Sequence, residues 1–334
     1  MPHHARQMDT LYFYSLRKVH IFGVRIDGQR KQINFLDDED QTIGQDGSQA
    51  RGPDSVISML DWVMSNYETE NDVCSIHADN CPGQNKNKFV VGYLIWRVMT
   101  GKHRKIEYQM QIPGHARCLV DSGFAQIKMK YRRHDCETRE QLAEILKGSS
   151  VGSMAVSNPP WSWRAWKEFL GQHFKSVIGI RKFQYFRFEE DKPGVVTVKT
   201  ATGAEETEVN ILKNKDVSFE SQEIPRVLQP GGLSAARKTY FEKTLRPFRN
   251  PPRVVVSSAE RQSEEVHAHK VPEDGLKSEQ QHSKQTTHNI STHYGLGCSQ
   301  FCYGSYLQAD TKGSMPHVCT STSCERCYPD IRYT

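Results

Sequence analysis

At 334 residues, the chain has room for two domains or for one domain with appendages. Its 37% hydrophobic content and mean hydropathy of −0.67 are too lean for packing throughout, while a net charge of +5 permits a nucleic-acid partner without demanding one. No apolar run approaches the roughly 18 residues of a membrane span, and the opening M-P-H-H-A-R-Q-M-D lacks the apolar core of a secretory signal.

A nuclear or cytoplasmic protein is therefore expected, one that is neither secreted nor bound to a membrane. Nine cysteines are split unevenly: Cys74, Cys81, Cys118 and Cys136 stand singly, and Cys298, Cys302, Cys319, Cys324 and Cys327 crowd the tail. In a reducing compartment such a set is no disulfide framework, and the odd total agrees.

In chain order, Leu11–Leu16 and Val19–Ile26 are aromatic and β-branched and read as one long strand or two short ones. Asp27-Gly28 signals a turn, and Lys31–Leu36 reads as the returning strand. After an acidic loop from Asp37 to Gly47, Gly52-Pro53-Asp54-Ser55 opens a helix with an apolar stripe running to about Tyr67. Val73–His77 reads as a buried strand. A helix follows Gly83 and stops at Gly101, and Lys105–Ile112 alternates as a half-buried strand ended by Pro113-Gly114. His115–Asp121 is expected to be a loop, with helices at Ser122–Tyr131 and Thr138–Leu146.

The order β-β-α-β-α-β-α predicts an α/β fold with a mixed sheet covered on both faces. Beyond it, a helix over Ser162–Phe174, strands at Arg181–Phe188 and Val195–Thr200 around Lys192-Pro193-Gly194, and a helix over Ala235–Leu245 suggest an α+β extension. From about Val254 to His293 large apolar residues almost vanish, which predicts disorder. The expected divisions are a core at 10–150, an extension of the same domain at 151–252, a disordered linker at 253–296 and a Cys-rich tail at 297–334.

The chemistry concentrates at C74-S-I-H-A-D-N-C-P-G-Q-N-K-N-K88. Asp79 ends a strand, and the carboxyl ends of strands form the crevice where open α/β sheets place their sites. Asp121 falls at the next βα junction, beside His115. Carboxylates converging there suit Mg²⁺ or Mn²⁺, which in pairs clamp the attacking and leaving oxygens of phosphoryl transfer. Lys86, Lys88, Arg117, Lys128, Lys130, Arg132 and Arg133 would suit a phosphate backbone such as that of DNA.

Each feature also has a plain structural reading. Asp79-Asn80 and Asp121 suit helix caps, Lys128–Arg133 a solvated helix end, and Trp161, Trp163 and Trp166 core packing. The amides of G-Q-N-K-N suit either a bound phosphate or the turn itself.

The elements H77-A-D-N-C-P-G-Q-N-K-N87, I112-P-G-H-A-R117 and D121-S-G-F-A-Q-I-K128 together resemble a transposon-derived domain-of-unknown-function family of animals. Its pattern is D-N-C-x-G-Q-N-K-N, then P-G-H-T, then D-x-x-F-G-x-(I/L)-K. A50-R-G-P-D54, W166-x-x-F-L170, P193-G-V-V196 and G232-L-S-A-A-R-K-T-Y240 agree as well, so the resemblance covers about Leu11 to Pro252.

The resemblance implies an RNase H-like, DDE-type transposase domain. Asp79 and Asp121 would then be catalytic metal ligands, with His115 as a further ligand. It also implies a first acid on a strand ahead of Leu11, so the core is expected to be N-terminally truncated. A glutamate common in the family's R-G-x-x-E segment is Ser55 here.

Two readings of function follow. The first is a transposase-derived DNA-binding protein with an incomplete two-metal phosphoryl-transfer site. The second is a catalytically silent module for binding nucleic acid or protein. In the tail, C298-x3-C302 and C319-x4-C324-x2-C327 could hold Zn²⁺ through thiolates. The sequence leaves the oligomeric state open.

Overall fold

The computed structural model describes residues 3, 11, 13–41, 43, 52–67, 73–111, 118–157, 161–214, 217, 219, 223–248 and, as backbone, 288–293. Two strands, β1 (Val19–Ile26) and β2 (Lys31–Asp38), form an antiparallel hairpin closed by a 3-10 turn at Asp27–Gln29. Then follow α1 (Pro53–Asn66), β3 (Val73–Ala78), α2 (Lys88–Met99), β4 (Lys105–Met110), α3 (Leu119–Tyr131) and α4 (Arg139–Lys147). The rest comprises β5 (Ser153–Ser157), α5 (Trp166–His173), β6 (Tyr185–Glu189), β7 (Val195–Lys199), β8 (Thr207–Asn210), α6 (Ala235–Tyr240) and β9 (His288–His293).

The strands make one mixed sheet ordered β5-β2-β1-β9-β3-β4-β6-β7-β8. β5 runs parallel to β2, and β3 runs parallel to both β4 and β9. The remaining pairs are antiparallel.

Alternation along β1 divides the two faces, since successive residues of a strand point to opposite sides. Phe22, Val24 and Ile26 join the larger core with residues of α1, α2 and α5. Val19 and Ile21 pack instead with Val120, Phe124 and Ile127 of α3 and with Leu142 and Ile145 of α4. Helices thus cover both faces, as the mixed pattern implied. The larger core takes in β1, β3, β6 and β7 along with Trp161, Trp163 and Trp166, so residues on both sides of position 150 share it.

The three tryptophans pack into the core, the plain structural reading of them. Trp161 meets Phe35 edge-on at 5.0 Å, and Trp166 meets Tyr93 at 5.0 Å and Trp96 at 5.2 Å.

Two expectations are corrected. The described residues of 11–16 form no strand: Leu11 and Leu16 are buried with Leu245 against Tyr14, Tyr240, Phe241 and Phe248. Their apolar character covers the end of α6, which continues through Phe241–Leu245 as a π-helical turn. Arg237 fastens this contact by donating to the carbonyls of Ser15 and Leu16, each at 2.9 Å.

The helix expected from Ser122 begins at Leu119, because Cys118 is its N-cap. Of the stretch expected to be a disordered linker, only His288–His293 is described, as the backbone of a strand lying between β1 and β3. The rest of that stretch lies outside the described residues.

Candidate site at the carboxyl ends of β3 and β4

The nine residues from Asp79 to Asn87 tie themselves into a compact connection between β3 and α2. The Cys81 carbonyl accepts from the amides of Gln84 (3.3 Å), Asn85 (2.9 Å) and Lys86 (3.0 Å), which folds the chain back at Pro82-Gly83. Asp79 Oδ1 accepts from the Cys81 amide at 3.1 Å and from Asn85 Nδ2 at 2.6 Å. Asn87 Oδ1 caps α2 by accepting from the amides of Phe89 (3.0 Å) and Val90 (3.1 Å), and Asn87 Nδ2 donates to the Gln84 carbonyl at 3.0 Å. Asn87, rather than Asp79 or Asn80, is therefore the helix cap. Within G-Q-N-K-N, the amides of Gln84, Asn85 and Lys86 donate to the Cys81 carbonyl and so serve the turn.

Lys86 is buried, and its ammonium donates to Asn80 Oδ1 at 2.8 Å and to the Arg181 carbonyl at 2.9 Å. Burial lowers its pKa to about 8. As an internal strut it joins this loop to the segment ahead of β6, so it is not presented to a phosphate backbone. Beneath the loop, the buried Tyr108 hydroxyl donates to the Asn85 carbonyl at 3.0 Å. Burial, followed by the fields of Asp79 and Cys81, pushes that phenol well above its ordinary range.

The second junction lies alongside. Asn80 Nδ2 donates to the Gln111 carbonyl at 2.9 Å, and the Gln111 amide donates to the Ala78 carbonyl at 2.9 Å. The Gln111 side chain in turn hydrogen-bonds the Cys118 sulfur. Asp121 Oδ2 accepts from the Cys118 amide at 3.3 Å and the Cys118 thiol at 3.2 Å, which makes Asp121 the acidic half of a capping box. Burial pushes the Cys118 thiol up to about 11, so it stays protonated and donates. A continuous run of contacts, Asp79–Cys81 and Asn80–Gln111–Cys118–Asp121, thus lines the ends of β3, β4 and α3.

Of the other expected site residues, His115 and Arg117 lie outside the described residues, as do Cys298, Cys302, Cys319, Cys324 and Cys327. Lys88 is exposed at the first position of α2, with its ammonium 4.8 Å from the Phe89 ring centre. Lys128 and Lys130 are half-buried on the last turns of α3, and Arg132 and Arg133 are exposed just past its end. Lys128 follows Asp121 by two helical turns on the same face, about 10 Å along the axis. Among the described residues no carboxylate pairs with these four cations, and no group of three or more His, Cys, Asp or Glu could hold a metal ion.

Two polar clusters escaped the sequence reading. Asp61 Oδ1 accepts from the Tyr93 hydroxyl at 2.8 Å and from Arg97 at 3.0 Å, and Arg97 Nε donates to His103 Nδ1 at 3.3 Å. A lone arginine inside the apolar run F89-V-V-G-Y-L-I-W-R-V-M99 was the signal for it. At the end of β2, Arg17 holds Asp38 and Asp40 while Arg237 holds Glu39 from α6. Charge pairs so far apart in the chain have no local signature.

Residues 14–206 match a family model described as Domain of unknown function (DUF7869). No curated protein and no solved structure matches the chain. No helix among the described residues is long and apolar enough to cross a membrane.

Proposed function

The chain belongs to the DUF7869 family, and from that premise we propose that it is a transposase-derived protein on an RNase H-like sheet that binds DNA without cutting it. The strand pattern supports the RNase H-like part: β1 and β2 form an antiparallel hairpin, and β3 and β4 run parallel beyond it. The resemblance implies a first strand beside that hairpin, antiparallel to it and parallel to β3. β9 has that place and those directions here.

The observation that carries the reading is how the two acids are used. A two-metal clamp needs hard oxygens converging from several carboxylates. Asp79 Oδ1 is engaged by Cys81 and Asn85, and Asp121 Oδ2 by Cys118. The neighbouring amide oxygen of Asn80 is taken by the Lys86 ammonium, itself a cation beside the place where metal would bind. One oxygen of each acid is thus committed to its own loop, and among the described residues no group of three or more His, Cys, Asp or Glu comes together to complete a two-metal clamp. The cations on the last turns of α3 and just past its end, by contrast, have no carboxylate partner among the described residues. Lys128, Lys130, Arg132 and Arg133 can therefore each displace a counterion from a phosphate backbone.

The test is a salt titration of binding to a labelled DNA duplex by fluorescence anisotropy. Lys130→Glu/Arg133→Glu should weaken binding roughly tenfold or more at low salt and lower the slope of log K against log salt by about 2. Unchanged affinity would remove α3 as the binding face. A Mn²⁺ nicking assay separates the other reading: no cleavage is expected from the unaltered chain. Nicking that disappears in Asp79→Asn would instead establish a catalytic site.

A further inference from the structure

Among the described residues β1 and β3 do not pair with each other, and β9 joins them. It runs antiparallel to β1 from Gly23↔His293 to Ile26↔Ile290, and parallel to β3 from Cys74↔His288 to Ala78↔Thr292. Without β9 the sheet separates into two blocks, β5-β2-β1 and β3-β4-β6-β7-β8. Each block then presents a row of unpaired main-chain groups, which is a template for an added strand. The strand that fills the gap comes from beyond residues 249–287, far along the chain from the hairpin it completes.

The register defines what the gap prefers. Position 288 is level with Cys74, position 290 with Ile26 and Ile76, and position 292 with Val24 and Ala78. All five neighbours belong to the buried core. The intervening positions are level with Ser75, with Arg25 and His77, and with Gly23, which are polar or small. A strand with aliphatic residues at three alternate positions and polar residues between them would match these walls. The resident segment H288-N-I-S-T-H293 has one such residue, Ile290.

We propose that the gap between β1 and β3 is a binding site for an extended peptide of the pattern aliphatic-polar-aliphatic-polar-aliphatic, which enters by displacing the tethered segment His288–His293. The tether keeps the resident strand at an effective concentration on the order of millimolar. A competitor therefore has to succeed through its better match at positions 288 and 292.

The probe is a fluorescein-labelled peptide spanning residues 286–295 with His288→Val and Thr292→Val, read by anisotropy against the full chain. A chain in which residues 288–293 are replaced by Gly and Ser should bind it at least tenfold more tightly than the unaltered chain. A scrambled peptide should bind neither. Equal binding of the scrambled peptide, or no gain when the resident strand is removed, overturns the proposal.

Should that replacement disturb the fold, locking the strand gives an independent answer. The ladder partners Arg25→Cys and Ser291→Cys should form a cystine within one chain that abolishes peptide binding, and reduction should restore it. Undiminished binding by the locked chain overturns the proposal. So does a cystine joining two chains, because the resident strand would then be supplied by a second copy.

Discussion

The side-chain amide of Asn80 donates to the main-chain carbonyl of Gln111 at 2.9 Å, fastening the end of β3 to the end of β4. The same asparagine offers its oxygen to Lys86, so both ends of one amide are used in holding the junction together. The polar residues of D79-N-C-P-G-Q-N-K-N87 are thus explained first as a self-tied loop, and any ligand chemistry has to be built on top of that.

Asp79 should matter to stability through its acceptor oxygen more than through its charge. Asp79→Ala strands the Cys81 amide and Asn85 Nδ2 and is expected to cost about 1–3 kcal/mol. Asp79→Asn keeps an oxygen at that place and should cost less than half as much. Urea denaturation of both variants at constant slope decides it; equal losses would point to the charge instead.

Lys86 makes stability depend on alkaline pH. Its pKa is about 8 in the folded chain against an ordinary 10.5, because burial disfavours the ammonium. Between those values the unfolded chain holds more protons, so this group's contribution to stability rises with pH through that window. Below about pH 8 the penalty is fully present. In Lys86→Met the rise should be missing, which the difference between the two stability-versus-pH curves measures.

His103 acts at the acid end. Burial, with Arg97 and Lys102 nearby, lowers its pKa to about 3 from an ordinary 6.5. The neutral ring accepts from Arg97 Nε. Between those pH values the unfolded chain again binds the extra proton, so stability is lost as pH falls from 6.5 towards 3. The slope from this group is at most about 1.4 kcal/mol per pH unit. His103→Asn should flatten the acid limb of the curve; an unchanged limb would assign it to other groups.

Gly23 sits in the middle of β1, where α3 crosses. A Cβ there would enter the ring of Phe124. Gly23→Ala should destabilise by about 1–3 kcal/mol through overpacking. Adding Phe124→Leu should recover part of the loss, and a double-mutant cycle by thermal or chemical denaturation reads the coupling.

What was legible locally was legible for local reasons. The hairpin β1–β2, the helix opened by Pro53 and the strand–turn–helix around Asp79 each announce themselves through periodicity and turn residues a few positions apart. The same reasoning failed at Leu11–Leu16, where an apolar, aromatic run promised a strand but covers α6 from more than two hundred residues away. It also failed at Lys86, which has the charge and spacing of a phosphate contact. Nothing within reach of it in sequence indicates that Arg181 will supply a carbonyl to its ammonium.

The amino-acid sequence alone determined that an α/β sheet would form and that Asp79 and Asp121 would stand at successive strand–helix junctions, since both follow from alternation and capping within short windows. Tertiary structure alone decided which oxygens those acids give to their own loops, and that the place between β1 and β3 goes to a polar segment near position 290. The reason is that a β-ladder joins main-chain groups, which every residue but proline carries in full. A gap with two open edges can therefore recruit a strand whose side chains never advertised it.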